Sequence, residues 1–219
     1  MGEFGKDIKK VMTLDSLASE INVYSLDCIL EKKIMPRKKN NKKEVIILEF
    51  AWSEKQNRVG CCLKDYSLSF WDAADQFEAE KNFNVSSFTI DYQTNIWYIE
   101  FLNCWMTTDR SNIINIWNIE SETLDYHITN PIISMGIIDI VPIPYIKLVV
   151  VAALDRKLTV WDLFKRLLVL VIDLTQGGIH SLKFFTSYQV LITAGYENSI
   201  ALWEISPAFL DHSLLGIYH

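Results

Sequence analysis

His127, His180, His212 and His219 are the chain's only histidines, so acid–base chemistry near neutral pH has four candidates. No two of them stand with cysteines or carboxylates at a metal-ligand spacing. His180 falls in GIHSLKFF, a strand-like run, and a structural role is expected for it. No GxSxG, HExxH or phosphate-cradling glycine loop is present, and Gly177-Gly178 reads as a turn. Cys28, Cys61, Cys62 and Cys104 form no CxxC pair. Reduced, buried thiols are expected, with the vicinal Cys61-Cys62 pair as a redox alternative. Glu78 and Glu80 lie in an acidic connection and read as solvated surface. No catalytic residue, metal ligand or cofactor site follows, and a non-enzyme is expected.

A concentration of positive charge stands out. Lys32, Lys33, Arg37, Lys38, Lys39, Lys42 and Lys43 supply seven of the 21 basic residues of a chain whose net charge is −6. Two readings are open: a solvated insertion, or a nuclear-targeting or polyanion-binding patch. No aromatic residue interleaves with these cations, so stacking on single-stranded nucleic acid is not supported. The first residues, MGEFGKDIKK, lack the apolar core of a signal peptide, and a cytoplasmic location is expected. The longest apolar zone, 131–154, contains Asp139, Pro142, Pro144 and Lys147, which argues against a membrane span.

The elements that must position these residues repeat. Residues 147–163, KLVVVAALDRKLTVWDL, read as a hairpin: a valine-rich strand apolar on both faces, a turn at Asp155, and a second strand ending in Trp161-Asp162. Related units span 9–35 (incomplete), 44–90, 95–128, 132–174 and 178–206, with a basic loop at 36–43 and a tail at 207–219. In the second unit Ala73–Glu80 reads as a connection and Phe83–Ile90 as the outer strand. The marker aromatics Tyr24, Trp71, Trp117, Trp161 and Trp203 are separated by 47, 46, 44 and 42 residues. Asp65, Asp155 and Glu197 each precede their tryptophan by six positions, and Asp109 by eight. A period of about 40–45 residues with four short strands per unit describes an all-β propeller of four-stranded blades, four to five of them here.

With its closing Trp-Asp pairs and acidic turns, the chain resembles the WD40-repeat family over residues 9–206. It departs from that pattern in places. The family's Gly-His pair is missing, and its Ser/Thr ten residues before the tryptophan is identified at Thr193, whereas Val151 and Cys61 replace it elsewhere. The hydrogen-bonded network of the family is therefore not expected to be complete in any blade. Within the family, DRKLTVWDL and VLITAGYENSIALWEISP are similar to a cilium- and flagellum-associated subgroup, some members of which carry EF-hands; no EF-hand loop occurs here.

The resemblance implies a scaffold binding other proteins within a multiprotein complex, with ciliary or cytoskeletal association and the nucleus as an alternative location. No cofactor, small-molecule substrate, nucleic acid or membrane is expected as a partner. The turns that line one rim in the family correspond here to Lys64, Tyr66, Arg110, Arg156, Lys157 and Tyr196. Tyr and Arg are the residue types most enriched among interface anchors. The marker tryptophans, and with them Trp52, Trp97 and Trp105, are expected in the core.

Overall fold

Runs of Val, Ile, Leu and aromatic residues, broken every five to seven residues by Asp, Asn, Ser or Lys turns, build strands and little else. The structure, a computed structural model, describes residues 10–37, 45–174, 177–196 and 198–205. The fold is all-β and of propeller type: small antiparallel sheets follow one another along the chain. The first contains β1 (Lys10–Asp15), β2 (Glu20–Ser25) and β3 (Leu30–Ile34). The second contains β4 (Ile47–Ser53), β5 (Arg58–Leu63), β6 (Ser67–Asp72) and β7 (Glu80–Asn84). The third contains β8 (Gln93–Ile99), β9 (Cys104–Asp109), β10 (Ile113–Asn118) and β11 (Thr123–Thr129). The fourth contains β12 (Ile137–Ile143), β13 (Leu148–Ala153), β14 (Lys157–Asp162) and β15 (Leu167–Asp173). The fifth contains β16 (Ile179–Phe185), β17 (Val190–Gly195) and β18 (Ile200–Glu204).

Each sheet runs in chain order, so every connection within it is a short reversal. The marker aromatics occupy one register position. Tyr24 pairs with Val11, Trp71 with Val59, Trp117 with Trp105, Trp161 with Val149 and Trp203 with Leu191. A second repeated feature is a bulge near the start of the first strand, at Ile47/Glu49, Gln93/Asn95, Ile137/Asp139 and Ile179/Ser181. Such bulges bend a strand and raise its twist, as stacked blades require.

The chain divides into two compact units, 1–127 and 128–219. In the first unit, Met12, Ile21 and Val23 of the first sheet pack with Ile47, Phe50, Val59 and Trp71 of the second. On the other side of the second sheet, Phe70 and Phe83 meet Trp105 and Trp117 of the third. The Phe70 and Trp105 rings meet edge to face at 5.0 Å, directly over Gly60. In the second unit, Val150, Leu158 and Val160 pack with Leu182, Leu191 and Trp203. All six residues of β13 are buried, as its two-sided apolar pattern demands.

Several expectations need correction. The outer strand of the second sheet is Glu80–Asn84, not 83–90. The chain reaches it through a 3-10 turn, Ala73–Asp75, capped by the Asp72 carboxylate, which accepts from the Ala74 N–H. Trp105 is buried, but Trp52 and Trp97 are only half-buried, each on a first strand. Cys61 and Cys62 are fully buried, whereas Cys104 is partly covered and Cys28 is exposed. Burial pushes the Cys61 and Cys62 thiols well up and Cys104 up to about 12, which suppresses thiolate chemistry at all three. No helix among the described residues is long and apolar enough to cross a membrane.

The turns have a shared peculiarity. Fourteen described non-glycine residues adopt left-handed backbone, among them Tyr66, Lys147, Arg156 and Arg166, while no described glycine does.

Candidate functional site

The short reversal between β5 and β6 places Tyr66 in left-handed backbone, φ 66°, with its half-buried side chain packed against the cluster between the second and third sheets. The Tyr66 ring meets Tyr92 edge to face, with centroids 5.9 Å apart and planes at 87°. Arg110, on the reversal between β9 and β10, places its guanidinium carbon 5.5 Å from the Tyr92 ring centre. The loop joining β7 to β8 holds Tyr92 in place. Val85 N–H donates to the Tyr66 carbonyl at 2.7 Å, and the Thr89 hydroxyl donates to the Asp91 carbonyl at 3.0 Å. The Ser111 hydroxyl reaches the Asp91 carboxylate at 3.3 Å. From the same loop Phe88 leans edge-on against Trp117, and Ile90 is 91% exposed. The first unit thus presents two tyrosines, a stacked arginine and an unprotected isoleucine together. Tyr92, Phe88 and Ile90 are not among the expected rim residues; the Ile90-Asp91-Tyr92 triplet beside a turn is the available signal.

The remaining expected rim residues divide. Lys64 and Arg156 are exposed. Tyr196 is also exposed, with its ring edge-on to His180 at 5.5 Å, so His180 lies on an exposed surface rather than in a core. Lys157 is committed elsewhere. Its ammonium donates to the Ile132 carbonyl at 3.0 Å and lies 3.8 Å from Asp155, which makes it a turn brace rather than an anchor.

Behind the rim, the marker tryptophans are held by hydroxyls. Trp117 Nε1 donates to Thr107 Oγ1 at 2.7 Å, and Thr107 donates to Gln93 Oε1 at 2.5 Å. Asn115 Nδ2 donates to the same Gln93 oxygen at 2.9 Å. A buried network is therefore continuous in the third sheet, with Gln93 and Asn115 as members and no histidine, so the family's own network remains incomplete there. Thr107 stands ten residues before Trp117 and is a second instance of the Thr193 position. Trp203 donates to Thr193 Oγ1 at 3.1 Å as the pattern implies. Where Val151 replaces the hydroxyl, Trp161 turns to Thr159 Oγ1 at 3.0 Å, which also accepts from Asn130 Nδ2.

The acidic turn residues differ in role. Asp109 is buried, accepts from the Ser111 and Ile113 N–H groups, and has its carboxyl raised by burial against those bonds. Asp155 accepts from both the N–H and the hydroxyl of Ser134. Asp65 is exposed, and Glu197 lies outside the described residues. Tyr24, the marker of the first sheet, is half-buried.

The basic run does not behave as a free loop over its described part. Lys32 and Lys33 lie on β3, where Lys32 pairs with Glu78 and Lys33 with Glu20. The Glu20 partner raises the Lys33 ammonium above its ordinary value. Arg37 N–H donates to Glu80 at 2.7 Å and its guanidinium to the Glu78 carbonyl at 3.1 Å. Glu80 also accepts from the Ser69 hydroxyl at 2.6 Å, so Glu78 and Glu80 are structural partners rather than bare solvated charges. Lys38, Lys39, Lys42 and Lys43 lie outside the described residues, as do His212, His219 and the 207–219 tail.

Among the described residues no group of three or more His, Cys, Asp or Glu side chains is arranged to hold a metal ion. Comparison with protein-family models and with curated proteins gives no match.

Proposed function

We propose that this chain is a non-catalytic protein-interaction scaffold of WD40 type whose partners dock on the turn rim. The observation that carries the reading is the Tyr66–Tyr92–Arg110 array. Its rings and guanidinium are fixed before any partner arrives, which reduces the ordering cost of binding. Exposed Ile90 beside it offers apolar area of the kind interface anchors use. A propeller supports such a role because its sheets are rigid and its turns carry the recognition residues. The finer reading, a cytoplasmic ciliary or cytoskeletal assembly, rests on the similarity of residues 155–163 and 190–207 to that subgroup.

The rival reading, a polyanion or targeting function of the basic run, is weakened by the acidic partners of Lys32, Lys33 and Arg37. A pull-down from cell extract separates the two. Tyr66→Ala combined with Arg110→Ala is expected to lose partners that the parent chain captures. Replacing Lys38, Lys39, Lys42 and Lys43 with Ser is expected to keep them. The opposite pattern, at low and physiological salt alike, transfers the function to the basic run.

A further inference from the structure

The first hairpin of the chain closely repeats the one at the centre of the third sheet. Asp15, at the end of β1, accepts from the Leu17 and Ala18 N–H groups at 3.0 Å each, as Asp109 at the end of β9 accepts from Ser111 and Ile113. The likeness continues down the strands. Thr13 stands opposite Asn22 where Thr107 stands opposite Asn115, and Tyr24 opposite Val11 where Trp117 stands opposite Trp105. The same positions hold Cys61 and Ser69, Val151 and Thr159, and Thr193 and Ala201 in the other sheets, so only the first and third share the Thr–Asn pair. Their surroundings differ. In the third sheet β8 lies beside β9, and its Gln93 oxygen accepts from both Thr107 and Asn115. In the first sheet β1 is an edge, with no neighbour on that side among the described residues. Thr107 is fully buried, whereas Thr13 is exposed. Asn22 is only 7% exposed, yet no donor among the described residues reaches its Oδ1.

We infer that the β1 edge binds an extended segment of another protein, paired antiparallel, whose glutamine side chain meets Thr13 and Asn22. Backbone pairing to a free edge supplies affinity, and the side-chain positions supply the choice of sequence. Directly opposed residues of an antiparallel pair share a face, so Thr13 and Asn22 present their polar groups together. Met12, Ile21 and Val23 take the other face, against the second sheet. A glutamine amide answers both groups, with an oxygen for the Thr13 hydroxyl and an N–H for the Asn22 oxygen. A buried oxygen left unpaired is costly, so a segment that brings the missing donor gains more than an exposed hydrogen bond gives. The register of β8 on β9 supplies the rest of the sequence. Gln93 faces Asp109, Ile96 faces Thr107 and Tyr98 faces Trp105. Carried to β1, the glutamine falls at Asp15, an isoleucine at Thr13 and an aromatic residue at Val11. The edge uses none of Tyr66, Tyr92 and Arg110, so the inference stands or falls without that array.

The test uses the full chain and a fluorescein-labelled peptide of sequence QTNIWYI, that of β8, with flanking lysines for solubility. Fluorescence anisotropy is expected to show saturable binding. A backbone N-methylated version, which cannot donate to the edge, should not bind. Leucine in place of the glutamine is expected to weaken binding about tenfold, the worth of one hydrogen bond to a buried group. Asn22→Leu should bind the leucine version as the parent chain does and lose the preference for glutamine, an outcome that an unfolded variant would not show. Tyr66→Ala, at the rim, and Ile200→Lys, on β18, should both bind as the parent chain does. Absence of binding overturns the inference, as does binding of the N-methylated peptide. Equal binding of the glutamine and leucine versions by the parent chain overturns it too, as does a preference that survives Asn22→Leu. Loss of binding on Ile200→Lys has the same force, since the peptide then sits on β18. So does a dimer of the chain that Asn22→Leu disperses, because the edge then serves a second copy.

Discussion

Thr107 is the residue on which the third sheet turns. Its hydroxyl accepts from Trp117, giving the buried indole N–H its partner, and donates to the Gln93 oxygen that Asn115 also reaches. Leaving a buried polar group without a partner costs about 1–3 kcal/mol, more than a typical net hydrogen bond contributes. Thr107→Val keeps the shape and removes the hydroxyl, and is expected to cost about 2–3 kcal/mol in urea unfolding. Thr107→Ser, which keeps it, is expected to cost under about 1.5 kcal/mol, the loss of one buried methyl. Equal losses for the two would show that the methyl, not the network, matters. The network itself is only partly legible in the sequence. The spacing that identifies Thr193 applies equally to Thr107, but Gln93 and Asn115 belong to no spacing rule, because their partners come from neighbouring strands.

At the scale of the strand and sheet, the hairpins are readable because hydrophobic runs and turn residues are local properties. The marker aromatics fall at one register in all five sheets for the same reason. Boundaries set by capping are less readable. Asp72 looks like the close of a strand, yet its carboxylate also caps the 3-10 turn that brings β7 in at Glu80. Nor does the sequence show that Trp52 and Trp97, on first strands, are only half-covered. Packing between sheets explains Gly60, which sits mid-strand where glycine is otherwise a poor choice. A Cβ there would lie 2.6 Å from the Phe70 ring and 2.7 Å from Trp105. Gly60→Ala is therefore expected to cost about 1–3 kcal/mol by overpacking. Adding Phe70→Leu should make the alanine less damaging than it is alone; simple additivity of the two changes would refute the steric explanation.

For the whole molecule, the distribution of open strand edges matters most. Among the described residues, β1 has no neighbour on one side, and neither does β18. On β18 the alternate residues Ile200 and Leu202 are 65% and 45% exposed. An apolar edge of this kind is a template for pairing with another chain. Sedimentation velocity is expected to show concentration-dependent self-association, reduced by Ile200→Lys, because a charge on an edge strand opposes pairing. A monomer at all concentrations, with β18 amides as slow to exchange as those of β17, would mean that the edge is already covered.

The left-handed turn residues have a consequence for anyone improving this protein. Such backbone costs a residue bearing a Cβ roughly 1–2 kcal/mol, a penalty glycine escapes. Asn57, Asn103, Asn112 and Asn198 tolerate it well, but Tyr66, Lys147, Arg156 and Arg166 are large side chains at positions where glycine would sit more comfortably. Selection for heat resistance alone would tend to replace them, stripping away a tyrosine and three cations that now stand at the turns. A hardened variant of this chain would then be a sturdier protein with nothing left to hold.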